Sequence, residues 1–169
     1  MEKRLRTIIV AFGLVATLAI QRGEVVSAAT TETRSPRSAS PSKSANSEIA
    51  SLLERINALR RSHGIALLIL DPRLCAIAER HGRDMVARNY FAHDTPEGVS
   101  PFGRMSREHY HFGYAGENLA IDRDLNTAEN ALVASPEHFE NIVEPHFIRI
   151  GISTITARDG ELVIEDFSD

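Results

Sequence analysis

Residues 148–169 read IRIGISTITARDGELVIEDFSD, and their pattern decides the architecture. Ile148, Ile150 and Ile152 alternate with more polar neighbours, the period of a half-buried strand. Asp159-Gly160 then offers a type I′ turn, and Leu162, Ile164 and Phe167 belong to a return strand. The chain therefore closes on a β-hairpin. A further strand is expected near Ala115–Ile121, and the segments before and between these strands have a helical period.

Ile49, Leu52, Leu53, Ile56 and Leu59 follow the three-four spacing of one helix face. Ser47 and Glu48 suit its start and Gly64 its end. Asp71-Pro72 opens a second helix, the acid as cap and the proline at the first helical position. Its stripe is Leu74, Ala78, His81 and Met85. Ser100-Pro101 repeats that signal for a helix through about Tyr110, residues 124–134 form another, and Ser135-Pro136 begins one more. Helices first and strands last give an α+β class, an α-β-α sandwich with a small antiparallel sheet between helical layers.

The first 28 residues have a different composition. Lys3, Arg4 and Arg6 precede an uncharged stretch from Thr7 to Ile20, shorter than the roughly 20 residues a membrane-spanning helix needs. Val26-Ser27-Ala28 supplies the small-residue pattern of a signal-peptidase site, with cleavage expected before Ala29; an uncleaved anchor is the alternative. Either places the domain outside the cytoplasm, secreted or in the cell envelope, with no stable membrane span after cleavage. Residues 29–47, ATTETRSPRSASPSKSANS, contain nine Ser or Thr and no large apolar residue, the composition of a disordered tether. The domain is expected from residue 48 to 169.

The whole chain carries a formal charge of −4, and removing residues 1–28 makes it more acidic. That argues against nucleic acid and anionic membrane surfaces as partners. Cys75 is the single cysteine, so no intramolecular disulfide forms, and its apolar helical setting reads as an inert thiol. There is no phosphate-cradling glycine loop, dinucleotide fingerprint, HExxH or GxSxG. The polar residues that stand out are His93, Glu117 and His138. Each has a structural reading: a hydrogen-bonded histidine, or a glutamate tying a loop beside Asn118. His81 reads as a core histidine, His109 and His111 as surface groups, and Glu137 as an acid favoured in a first helical turn.

Five blocks also carry a resemblance. YFAHDTPEGVSPFGRM (90–105), GYAGENLA (113–120), SPEHFENIV (135–143), the IRIGIS/LVIEDF hairpin, and the helix pieces NALRRSHGIALLILDPRL and AERHGRDM occur in an order that resembles bacterial members of the CAP superfamily. That group comprises the cysteine-rich secretory proteins, antigen 5 and pathogenesis-related 1 proteins. The resemblance covers about 48–169 and implies a shallow cleft where two histidines and two acids meet, here His93, His138 and Glu117. The second acid is missing: Leu132 replaces the family's tryptophan, Ser135 occupies the acid position, and neither Glu129 nor Glu137 matches it. Ser135 reads better as a helix cap than as a nucleophile.

Two imidazoles and a carboxylate suit Zn²⁺, with His93 and His138 as ligands and Glu117 as ligand or orienting group. The leading expectation is a non-enzymatic extracellular module whose cleft holds a divalent metal or small ligand from the envelope or beyond. The alternatives are a hydrolase using zinc or a His–Glu pair, and a lipid- or sterol-binding protein.

Overall fold

In the computed structural model, which describes residues 43–169, the expected helices and strands fall in the expected order. The segment read as a signal peptide, and the tether up to residue 42, lie outside the described residues. Helix α1 spans Lys43–Ser62, so it begins before the cap expected at Ser47; beyond Pro41 no proline opposes it. Gly64 follows with φ 68° and completes its C-terminal turn, Ile65 N donating to Arg60 O at 2.9 Å.

The short strand β1 (Ile69–Leu70) leads into α2 (Pro72–Arg88). Asp71 caps that helix, accepting from Arg73 N at 2.8 Å and Leu74 N at 3.3 Å. After α3 (Pro101–Arg107) come β2 (Ala115–Asp122), α4 (Leu125–Ala134), α5 (Pro136–Ile142), β3 (Arg149–Ala157) and β4 (Gly160–Ser168). The sheet order is β1-β3-β4-β2. Its three long strands are antiparallel, as expected, but β1 pairs parallel with β3 and makes the sheet mixed. Two residues are too few to show an alternation, which is why that strand is not visible in the sequence.

The strand register sorts the side chains into two layers. Ile150, Ile152, Val163, Phe167 and Ala120 form one core with Leu52 and Ile56 of α1, Leu132 of α4 and Ile142 of α5. On the opposite face Leu119, Leu162 and Ile164 pack against Ala78 and Met85 of α2. The result is the expected α-β-α sandwich. Gly151 lets α2 lie directly on β3: a Cβ there would sit 2.2 Å from the backbone carbon of Leu74.

The hairpin turn differs from expectation. A type I′ turn requires positive φ at both central residues, but the turn residues are Arg158 and Asp159, neither with positive φ, between paired Ala157 and Gly160. Gly160 takes the unusual conformation instead (φ 143°), where a Cβ would lie 2.1 Å from Asp122 O. The end of β2 sets this turn through that close approach, and a local motif does not register it.

Arg60 is fully buried. Its guanidinium donates to the carbonyls of Ala66, Ile142, Glu144 and Phe147 at 2.7–3.1 Å, tying α1 to the segment that leads into β3.

Candidate functional site

His93 lies in the segment between α2 and α3, and a series of bonds fixes that segment. Buried His81 donates through Nε2 to Ala92 O at 2.9 Å, and Tyr90 Oη donates to Asp84 at 2.6 Å. Arg88 holds Glu97, and Gly98 (φ 75°) closes a turn onto Thr95 O. Ser100 Oγ accepts from Gly103 N and starts α3, which carries Arg104. Glu117 projects from β2 on the face that α2 covers.

These three side chains form one network. His93 Nδ1 donates to Glu117 Oε1 at 2.8 Å, while Arg104 Nη2 contacts Glu117 Oε2 and Nη1 donates to His93 O at 2.6 Å. The Glu117 side chain is only 1% exposed, His93 13% and Arg104 11%. With Nδ1 holding the proton, Nε2 of neutral His93 is left as a lone pair with no protein partner among the described residues. Burial, then the charge of Arg104, lowers the His93 pKa, so the imidazole is neutral at physiological pH.

The register places Asp166 of β4 directly opposite Glu117, and each carboxyl group acts on the other's charge. Burial, then the negative charge of Glu117, raises Asp166 well above the usual carboxylate range. Burial likewise pushes Glu117 up to about 7, against Arg104 and the Asp166 contact, which favour its charge. A proton on Asp166 donated to a Glu117 carboxylate facing Arg104 satisfies both. A buried acid thus does accompany Glu117, contributed by β4 and not by the expected position at 135.

His138 comes from α5, in the other helical layer. Strand β2 is the sheet edge, and around it the two layers meet. Burial, then the charge of nearby His93, lowers the His138 pKa. Its carbonyl accepts from Asn118 Nδ2 at 3.1 Å, and Asn141 donates to Asn118 Oδ1 at 2.9 Å. The His138 Nδ1 atom is buried without a partner. Ser135 sits at the N-cap of α5 as expected, but its side chain makes no capping bond. Glu137 is exposed. The structure thus couples His93 directly to Glu117 and brings His138 near without a bond to either.

Behind Asn118 lies a second buried acid pair. Asn118 donates to Glu165 Oε2 at 2.9 Å, and Glu165 faces Glu129 of α4, both 0% exposed. Burial raises both pKa values, and Glu129 raises Glu165 further. Cys75 is half-buried and accepts from Ile152 N at 3.4 Å, its pKa raised mainly by burial, as expected of an inert thiol.

The donor set decides how a metal would sit here. Among the described residues no group of three His, Cys, Asp or Glu side chains is placed to hold an ion, and both Glu117 oxygens are engaged. His93 and His138 would offer at most two nitrogens, too few for a closed four-ligand site.

The profile of the cysteine-rich secretory protein (CAP) family matches residues 53–167. The chain belongs to this family. This CAP domain is 34% identical over 107 residues to the uncharacterized protein YkwD of Bacillus subtilis, an alignment covering 62% of this chain and 41% of that protein. It spans less than half the length of the curated relatives it matches. Its fold is similar to an outer surface protein from Borrelia burgdorferi, with TM-score 0.68, 22% identity, and 73% and 92% of the two chains covered. It is also similar to an extracellular SCP-domain protein from Bacillus anthracis, with TM-score 0.63, 23% identity, and coverages of 78% and 45%. These neighbours are extracellular or surface proteins, and no described helix is long and apolar enough to cross a membrane.

Arg104, Asp166 and the Glu129–Glu165 pair were not legible as site residues. One signal was present: Glu165-Asp166 interrupt an otherwise apolar strand, and adjacent acids there need buried partners on both faces.

Proposed function

We propose that this CAP domain is exported and acts as a non-enzymatic binding module, taking a small polar ligand or a weakly held divalent ion at the edge of β2. The observation that carries this reading is the His93–Glu117–Arg104 network. It fixes one neutral imidazole with its Nε2 lone pair outward and leaves Glu117 no free oxygen for proton transfer. His138 supplies the second neutral imidazole beside it.

Covalent catalysis is disfavoured because no hydroxyl or thiol among the described residues is bonded to either imidazole, and general-base hydrolysis through Glu117 because both its oxygens are engaged. A polar ligand is favoured over an acyl chain because the side chains gathered here, His93, Glu117, Arg104 and His138, are charged or hydrogen-bonding. The ligand's source, on this reading, is the cell envelope or the medium.

Calorimetric titration of Zn²⁺ into the protein, beside His93→Ala and His138→Ala, tests the shared site. Saturable one-to-one binding, micromolar or weaker and lost in both variants, is the expected result. Binding unchanged in either variant removes that histidine from the site, and no binding removes the ion.

A further inference from the structure

Strand β4 carries two adjacent acids in the middle of the sheet, and the strand alternation sends them to opposite faces. Asp166 is opposite Glu117 and Glu165 opposite Asn118. Glu165 shares its face with Val163 and Phe167, the face that packs against Leu132 of α4 and Ile142 of α5. There it faces Glu129, and each acid acts on the other's charge. Both are 0% exposed. Of their four carboxyl oxygens, Glu165 Oε2 accepts from Asn118 Nδ2 at 2.9 Å, and the other three are buried without a partner.

Little around the pair offsets its charge. Arg55 of α1 favours a charged Glu129, but its guanidinium is spent on Asn126 Oδ1 at 3.0 Å and Asn130 Oδ1 at 2.7 Å. Strand β2 contributes neutral Asn118, β3 sets Ile152 opposite Glu165, and the acids of α5, Glu137 and Glu140, are exposed. Two carboxylates side by side in such a layer repel and stay unsolvated. A single proton relieves both faults, since an O–H on one acid donates to the other.

Two routes join this pair to His138. Asn118 also donates to His138 O at 3.1 Å, and Asn141 Nδ2 donates to Asn118 Oδ1 at 2.9 Å, so Asn118 ties Glu165 to α5. In addition, Ser135 alone separates α4 from α5, and a shift of Glu129 is carried into the first turn of α5, where His138 lies. We propose that Glu129 and Glu165 hold one proton in common and are positioning residues for His138, the proton seating α4 and α5 on the sheet. When it leaves, the two charges repel. Helix α4 is the side that yields, because β4 is fixed between β3 and β2. The bearing on binding rests on His138 belonging to the proposed site; the coupling does not.

NMR of the full-length, metal-free protein tests this. At pH 7 the carboxyl carbon signals of the pair, assigned with Glu129→Gln and Glu165→Gln, should together account for one proton. Two ionised carboxylates or two neutral acids would overturn the proposal. Between pH 7 and 10 the amides of His138 and Asn141 and the side-chain amide of Asn118 should move together in one step. Glu129→Gln, whose N–H donates to Glu165 at every pH, should keep the positions seen at pH 7 and lose the step. A step that survives in this variant, or no step up to pH 10 in wild type, would also overturn it. A step lost in Glu129→Gln, in a protein that takes up no Zn²⁺, upholds this inference and removes only the ion from the proposed function.

Discussion

Replacing Glu117 by Gln keeps the shape of the side chain and removes a titration, and the consequence can be worked out from the structure. The folded-state pKa of Glu117 is about 7 against an ordinary 4.5, raised first by burial. An acid raised in this way is fully compatible with the fold below pH 4.5, and its contribution is lost as pH rises through about 7. Two and a half pH units correspond to about 3 kcal/mol. Gln does not titrate, so the variant lacks this slope. It carries instead a roughly constant penalty, because its NH2 replaces one of the two accepting oxygens and faces a donor, His93 or Arg104.

Urea unfolding followed by circular dichroism at pH 5, 6, 7 and 8 reads the difference directly. Relative to wild type, Glu117→Gln should gain about 2.5 kcal/mol across this range, whatever its offset at pH 5. Parallel stability profiles for the two proteins would refute the reasoning, since Glu117 would then titrate alike in the folded and unfolded chains.

His81 gives the mirror image. Its pKa is lowered to about 4, so its contribution is present above pH 6.5 and lost as pH falls through 4; wild type should lose about 3 kcal/mol relative to His81→Gln between pH 7 and pH 4 in the same urea assay. Arg60→Met leaves four buried or half-buried carbonyls without their donor and should cost about 3–5 kcal/mol in thermal unfolding, with Arg60→Lys recovering only part because an ammonium has three donors against five. Gly151→Ala drives a methyl into the backbone of Leu74 and Cys75 and should destabilise by about 3 kcal/mol or more, seen as a lower urea midpoint.

The architecture was legible because its signals are local. Asp71-Pro72 and Ser100-Pro101 mark helix starts through the chemistry of one turn, and the Ile148–Ile152 alternation fixes a strand. The candidate residues His93, Glu117 and His138 stood out for a different reason: they lie in blocks that resemble a known family. What escaped is non-local. The Glu117–Asp166 pair exists only through the β2–β4 register, and the Glu129–Glu165 pair only because α4 packs on that face. The hairpin turn was misread because Asp122, distant in sequence, presses on Gly160. Arg104 stood inside a quoted motif, yet its role depends on α3 aiming it at Glu117.

The central claim is that Glu117 holds His93 with the proton on Nδ1 and a bare Nε2 facing the cleft. Nitrogen-15 NMR of the imidazole at pH 7 tests it most directly, with His93→Ala assigning the signals. The account predicts a neutral ring in which Nδ1 has the shift of a protonated nitrogen and Nε2 that of an unprotonated one. A ring protonated on Nε2, or averaged between tautomers, would contradict it.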